Sequence, residues 1–75
     1  MPVIFDFNEL RGRIIAKYGD YKTFAEAINL SPAQLSGRLN NKVHFPPDEV
    51  ILISSPAILD IPTNEIGRYF FSPKV

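Results

Sequence analysis

Gln34, Ser36 and Arg38 place three hydrogen-bonding side chains within five residues, directly after Ser31-Pro32-Ala33. On the outer face of a short helix, they form a set able to read the edges of DNA bases. A glutamine can bond the adenine edge bidentately, a serine can bond either way, and an arginine can reach guanine or a phosphate. Pro32 and Ala33 add only apolar contact, at best with a thymine methyl, and Gly37 adds no side chain. Pro32, Ala33, Gln34, Ser36 and Arg38 are therefore the candidate base-reading or partner-facing residues. The bland alternative is that they are the solvated side of a short helix.

A second set suits phosphates. Tyr21, Lys22 and Thr23 open a helix, where backbone N–H groups and the helix dipole favour an anion. Asn40, Asn41 and Lys42 form the polar loop that follows the reading segment, and such loops lie against the sugar–phosphate backbone. Catalytic chemistry has less to build on. His44 is the single histidine, no cysteine is present, and no Gly-rich phosphate loop or Ser–His–acid set occurs in a supporting context. The expectation is a protein that is not an enzyme, with no cofactor, metal or small-molecule substrate.

For a reading face to exist, the surrounding chain must hold it outward. Leu10, Ile14 and Tyr18 recur at helical spacing, with Phe7 one turn earlier and Ile15 beside the stripe. Asp6 or Asn8 could cap this first helix, and Gly19 can end it. Arg11, Arg13 and Lys17 fall largely off the stripe, remote from the reading segment and able to pair with local acids. Asp20 is a good N-cap for a second helix over Tyr21 to Ile28, with Phe24 and Ile28 inward. Asn29 tolerates positive φ and suits a sharp corner. Ser31 caps a third helix with Pro32 at its first position, and Leu35 and Leu39 form its buried face.

Pro46 and Pro47 open a fourth helix, with Asp48 and Glu49 complementing its dipole. Val50-Ile51-Leu52-Ile53 is apolar on every side and could by itself be a buried strand; the Pro-Pro-Asp-Glu start favours a helix. Pro56 breaks it, and Ser55 to Leu59 suggests one further turn. Pro62-Thr63-Asn64-Glu65 restarts a last short helix carrying Ile66 and Phe70. Residues 72–75 are expected to form a frayed tail.

Counted from Tyr21, residues 21–40 follow the helix-turn-helix pattern. Apolar residues belong at places four, eight, ten and fifteen, and the chain supplies Phe24, Ile28, Leu30 and Leu35. The fifth place must be small where the helices touch, and it is Ala25; the ninth must turn, and it is Asn29. Only the eighteenth departs, with Arg38 where an apolar residue is usual and Leu39 one place later.

"LRGRIIAKYGDYKTFAEAINLSPAQLSGRLNNKVHF" and the closing "EIGRYFF" resemble the small Cro-like regulators of temperate phages, within the Cro/Xre helix-turn-helix superfamily. The similarity spans roughly residues 5 to 71. The "FAEAINLS" corner is common to the superfamily, while "RGRI…KYG" and the aromatic ending are narrower. Pro56 is a departure, interrupting a stretch that is usually continuous. The resemblance implies an all-α, compact five-helix Cro/repressor-like domain filling residues 1–75. It further implies a phage or prophage lysis–lysogeny regulator in the bacterial cytoplasm, bound to operator DNA and often as a homodimer.

Composition supports a rival. Eight Lys plus Arg balance eight Asp plus Glu, so the net charge is zero, whereas nucleic-acid binders usually carry a basic footprint. Some proteins that this chain resembles seize the phage repressor instead of an operator. Phe45, Tyr69, Phe70 and Phe71 could supply aromatic surface for such an interface, with core filling as the plainer reading, above all for Phe70. The start, Met1 to Asp6, lacks the basic flank and cleavage site of a signal peptide, and no apolar run is long enough for a membrane helix.

Overall fold

The computed structural model describes residues 4–74; readings that touch Met1–Val3 and Val75 lie outside them. Five helices follow one another: α1 (Asn8–Tyr18), α2 (Tyr21–Ala27), α3 (Pro32–Leu39), α4 (Pro47–Ser54) and α5 (Ile66–Phe70), the last entered through a 3-10 turn at Thr63–Glu65. The domain is all-α, and the apolar stretch at residues 50–53 is helical.

Local chemistry sets most boundaries. The Asp6 carboxylate accepts from the Asn8 N–H at 2.8 Å, so the first helix is closed from just outside its start. Gly19, at φ 84°, ends α1 and donates its N–H to Ile15 O at 2.9 Å. Asp20 caps α2, accepting from the Thr23 N–H at 2.7 Å. That helix stops at Ala27, with Ile28 already out of helical geometry but still buried.

Leu10, Ile14, Phe24, Leu35, Ile53 and Phe70 are the largest fully buried side chains, and they come from all five helices. Burying each contributes about 1.5–3 kcal/mol, enough for a core shared by every element to outweigh weak local propensity. Phe45 stacks edge-on against Phe70 and Phe7, with ring centroids 5.3 and 5.5 Å away. Phe45, Tyr69 and Phe70 are thus core residues, as the plainer reading had it for Phe70, and of the four candidate interface aromatics Phe71 alone is exposed.

Pro56 does end α4, yet the chain beyond it packs tightly. The N–H groups of Ile58 and Asp60 both reach Ser55 O, and that of Ile61 reaches Ser54 O, carrying Ile58, Leu59 and Ile61 into the core. The carboxyl-terminal segment, expected to fray, is hydrogen-bonded to the amino-terminal segment as far as Lys74. Asp6 N–H donates to Ser72 O and Lys74 N–H to Ile4 O, each at 2.8 Å. Pro73, lacking an N–H, sits opposite Phe5 between these two bonds, so its missing donor costs nothing.

Candidate nucleic-acid interface

Helices α2 and α3 pack against each other, and Ala25 of α2 is wholly buried, so a larger side chain there would have no room. Asn29 turns the corner at φ 61°, and Leu30 N–H reaches back to Ala25 O at 2.8 Å. Leu35 and Leu39 anchor α3 in the core. Pro32, Ala33, Gln34 and Ser36 consequently face solvent along its other side.

The start of α3 is closed by a reciprocal pair of bonds. Ser31 Oγ accepts from the Gln34 N–H at 3.1 Å, and Gln34 Oε1 accepts from the Ser31 N–H at 2.9 Å. Gln34, a candidate for bidentate reading, has its side-chain carbonyl engaged by its own helix.

Arg38 is not available as a reader. Its Nε and Nη2 donate to the two carboxylate oxygens of Glu49 at 2.6 and 2.9 Å, and Nη1 donates to Gln34 O. Both side chains are largely buried, with 14% and 16% of their surfaces exposed. The departure at the eighteenth place of the motif thus has a structural reason: an ion pair ties α3 to the first turn of α4 where an apolar contact is usual.

The phosphate set divides in the same way. Asn41, at φ 62°, clasps the backbone of Phe5, accepting its N–H at 2.8 Å and donating to its carbonyl at 3.0 Å. It holds the amino-terminal segment and leaves the candidate set. Lys42 is exposed beyond the end of α3, its backbone N–H bonded to Gly37 O. Asn40 is exposed and bonded on both sides, donating from Nδ2 to Ser36 Oγ and accepting at Oδ1 from Arg11 Nη2, each at 3.1 Å.

At the start of α2, Lys22 and Thr23 are exposed and Tyr21 is half-buried beneath the Arg11 guanidinium. The N–H of Thr23 is already given to Asp20, so this helix start is not a vacant anion site. That bond, with a weaker one from the Thr23 side chain, holds the Asp20 carboxyl below its ordinary pKa. Anion contact here falls to the Lys22 ammonium and the Tyr21 hydroxyl, since the Thr23 hydroxyl is turned to Asp20.

Arg11, expected to lie remote from the reading segment, meets its end. It caps the end of α3 through Leu39 O at 3.0 Å, which brings a first-helix cation beside the candidate face. Its signal in the sequence was weak, because the contact joins residues 28 apart. Arg13 likewise meets carbonyls instead of acids, donating to Leu59 O, Asp60 O and the Tyr69 hydroxyl. His44 is exposed, edge-on to Phe5 at 5.8 Å. Among the described residues, no group of three or more His, Cys, Asp or Glu could hold a metal ion, and no helix is long and apolar enough to cross a membrane.

Residues 3–73 match the family described as "Protein of unknown function (DUF739)", and the chain belongs to that family. No curated protein matches it.

Proposed function

We propose that this DUF739 chain is a Cro-like transcriptional regulator of a phage or prophage switch that binds operator DNA through α3 in the major groove. One observation carries the reading: two short helices pack together with a buried alanine on the first, turn at a left-handed asparagine, and leave Pro32, Ala33, Gln34 and Ser36 exposed on the second. Gln34 and Ser36 contact base edges, with Pro32 and Ala33 against thymine methyls. Lys22, Lys42 and Asn40, with the hydroxyl of Tyr21, contact phosphates. Bound this way, the domain occludes polymerase or a competing repressor.

Charge limits the affinity. With Lys22 and Lys42 as the phosphate-facing cations, log K falls against log salt with a slope of about −2 for one domain and about −4 for two on paired half-sites. Dimeric binding is therefore part of the proposal. The test is a gel-shift on the regulatory region adjoining its own coding sequence, across low and moderate salt. Removing one cation by Lys22→Ala or Lys42→Ala should weaken binding and flatten the slope by about one per domain. A slope unchanged in both variants, or no shift at low salt, would reject the assignment.

A second reading, a modulator that binds the cognate repressor through the helix-turn-helix face, is favoured by the Arg38–Glu49 pair. That pair leaves the outer side of α3 without formal charge. A repressor bound tightly while operator DNA is ignored, with Pro32→Glu or Ala33→Glu abolishing the complex, would select it.

A further inference from the structure

The exposed polar side chains of α3 are all engaged by the protein on their acceptor side. A backbone N–H can only donate, so the Gln34 atom facing Ser31 is its oxygen, and the amide Nε2 is left to point away. A guanidinium can only donate, so the Asn40 atom facing Arg11 is Oδ1. The Asn40 atom facing Ser36 is then Nδ2, which has no lone pair to offer, so Ser36 Oγ is the acceptor in that bond. The Ser36 hydroxyl hydrogen remains free to give. Two short relays, Ser31–Gln34 and Arg11–Asn40–Ser36, thus consume oxygens and leave hydrogens. The oxygens keep a second lone pair, but an incoming donor would have to share an atom already bonded within the protein.

We infer that α3 presents a donor-biased face and selects acceptor edges in the major groove, guanine O6 and N7 or thymine O4, over adenine, whose N7 acceptor adjoins the N6 donor. Gln34 then does not make the bidentate adenine pair, because that pair needs Oε1 and Nε2 side by side in the groove. Asn40 and Arg11 are positioning residues that set the polarity of Ser36. This inference rests on the DNA-binding reading and specifies its sequence preference.

The test uses the full chain and a randomised duplex pool, selected and sequenced. The best duplex is then remade with 7-deazaguanine, which lacks the N7 acceptor, or with purine for adenine, which lacks the N6 donor. The expected result is enrichment of guanine or thymine at the read positions, roughly tenfold weaker binding with 7-deazaguanine or with thymine O4 removed, and no change without N6. Sensitivity to loss of N6, or indifference to every base change, overturns the inference while duplex binding itself stands. A pool that yields no bound duplex rejects the DNA-binding reading as well.

Gln34→Glu separates folding from recognition. Glutamate keeps the acceptor that closes the helix start and removes the Nε2 donor, so the fold should survive while the ratio of affinities for unmodified and modified duplex shrinks. Asn40→Asp remains bonded to Arg11 but turns the Ser36 hydroxyl inward, which should move the preference at that position toward cytosine or adenine. Unaltered base preference in both variants counts against the inference.

Discussion

Helices α3 and α4 are the same length, both carry proline in the first turn, and both anchor themselves through aliphatic side chains, Leu35 and Leu39 in one, Val50 and Ile53 in the other. They are secured by different means. The start of α3 is closed by its own residues, whereas α4 has no side-chain cap, and its first-turn Glu49 is bonded to a residue of α3. The outward sides also differ. Helix α3 exposes Gln34 and Ser36, while α4 exposes Ile51 at 69% and Leu52 at 42%. A helix that closes its own end keeps its shape whatever binds the outer face. Its neighbour is set by the tertiary structure, and in return it neutralises the cation of α3.

The largest expected effect tests what the two helices share. Leu35→Ala and Ile53→Ala should each destabilise the domain by about 2–5 kcal/mol. At roughly 4–8 °C per kcal/mol for a domain this small, thermal melts resolve either easily. A loss under 1 kcal/mol for one of them would mean that its helix is not held by the core.

Next comes the bond between the helices. Glu49→Ala leaves a largely buried guanidinium without its carboxylate and should cost about 1–3 kcal/mol. The double variant Arg38→Met with Glu49→Met should recover most of that stability, because no buried charge is stranded. If the double variant melts lower than the single one, the pair supplies net stability and the helices are more strongly coupled than the comparison implies.

Smaller still is the local cap. Ser31→Ala should cost about 1 kcal/mol through fraying of α3, read as lost protection of the Gln34 amide in hydrogen exchange. Pro46→Ala should leave the start of α4 unaffected, since no side chain caps it there.

The smallest effect is a pH dependence at α2. The folded Asp20 carboxyl titrates below its ordinary 3.8 because it accepts the Thr23 N–H. Its stabilising charge is complete above that ordinary value and is lost as pH falls through the lower folded one. Melting temperature followed through the acid range should therefore fall less steeply in Asp20→Asn, which retains a capping oxygen without the titrating charge. Identical slopes would show that the cap works without its charge.

Local signals were legible because they depend on neighbouring residues. Gly19, Asp20, Asn29 and Ser31-Pro32 each act within four positions, and each behaves in the structure as its residue type requires. Long-range partnerships had no comparable signal. An exposed-looking arginine in α3 carries no mark that Glu49 waits eleven residues on, and nothing in Asn41 announces Phe5, thirty-six residues earlier. The carboxyl-terminal segment looked unanchored for the same reason, since its partners lie at the opposite end of the described chain.

The amino-acid sequence by itself determined the helices, the caps that open α2 and α3, the glycine that closes α1 and the left-handed corner, because short-range sterics and hydrogen bonds decide those within a turn or two. Only the tertiary structure decided which polar groups remain free on the outer side of α3. Hydrogen-bonding capacity is consumed by whichever partner folding brings near, and for Arg38, Asn41 and Ser36 that partner lies beyond the reach of any local pattern or arrives through a relay.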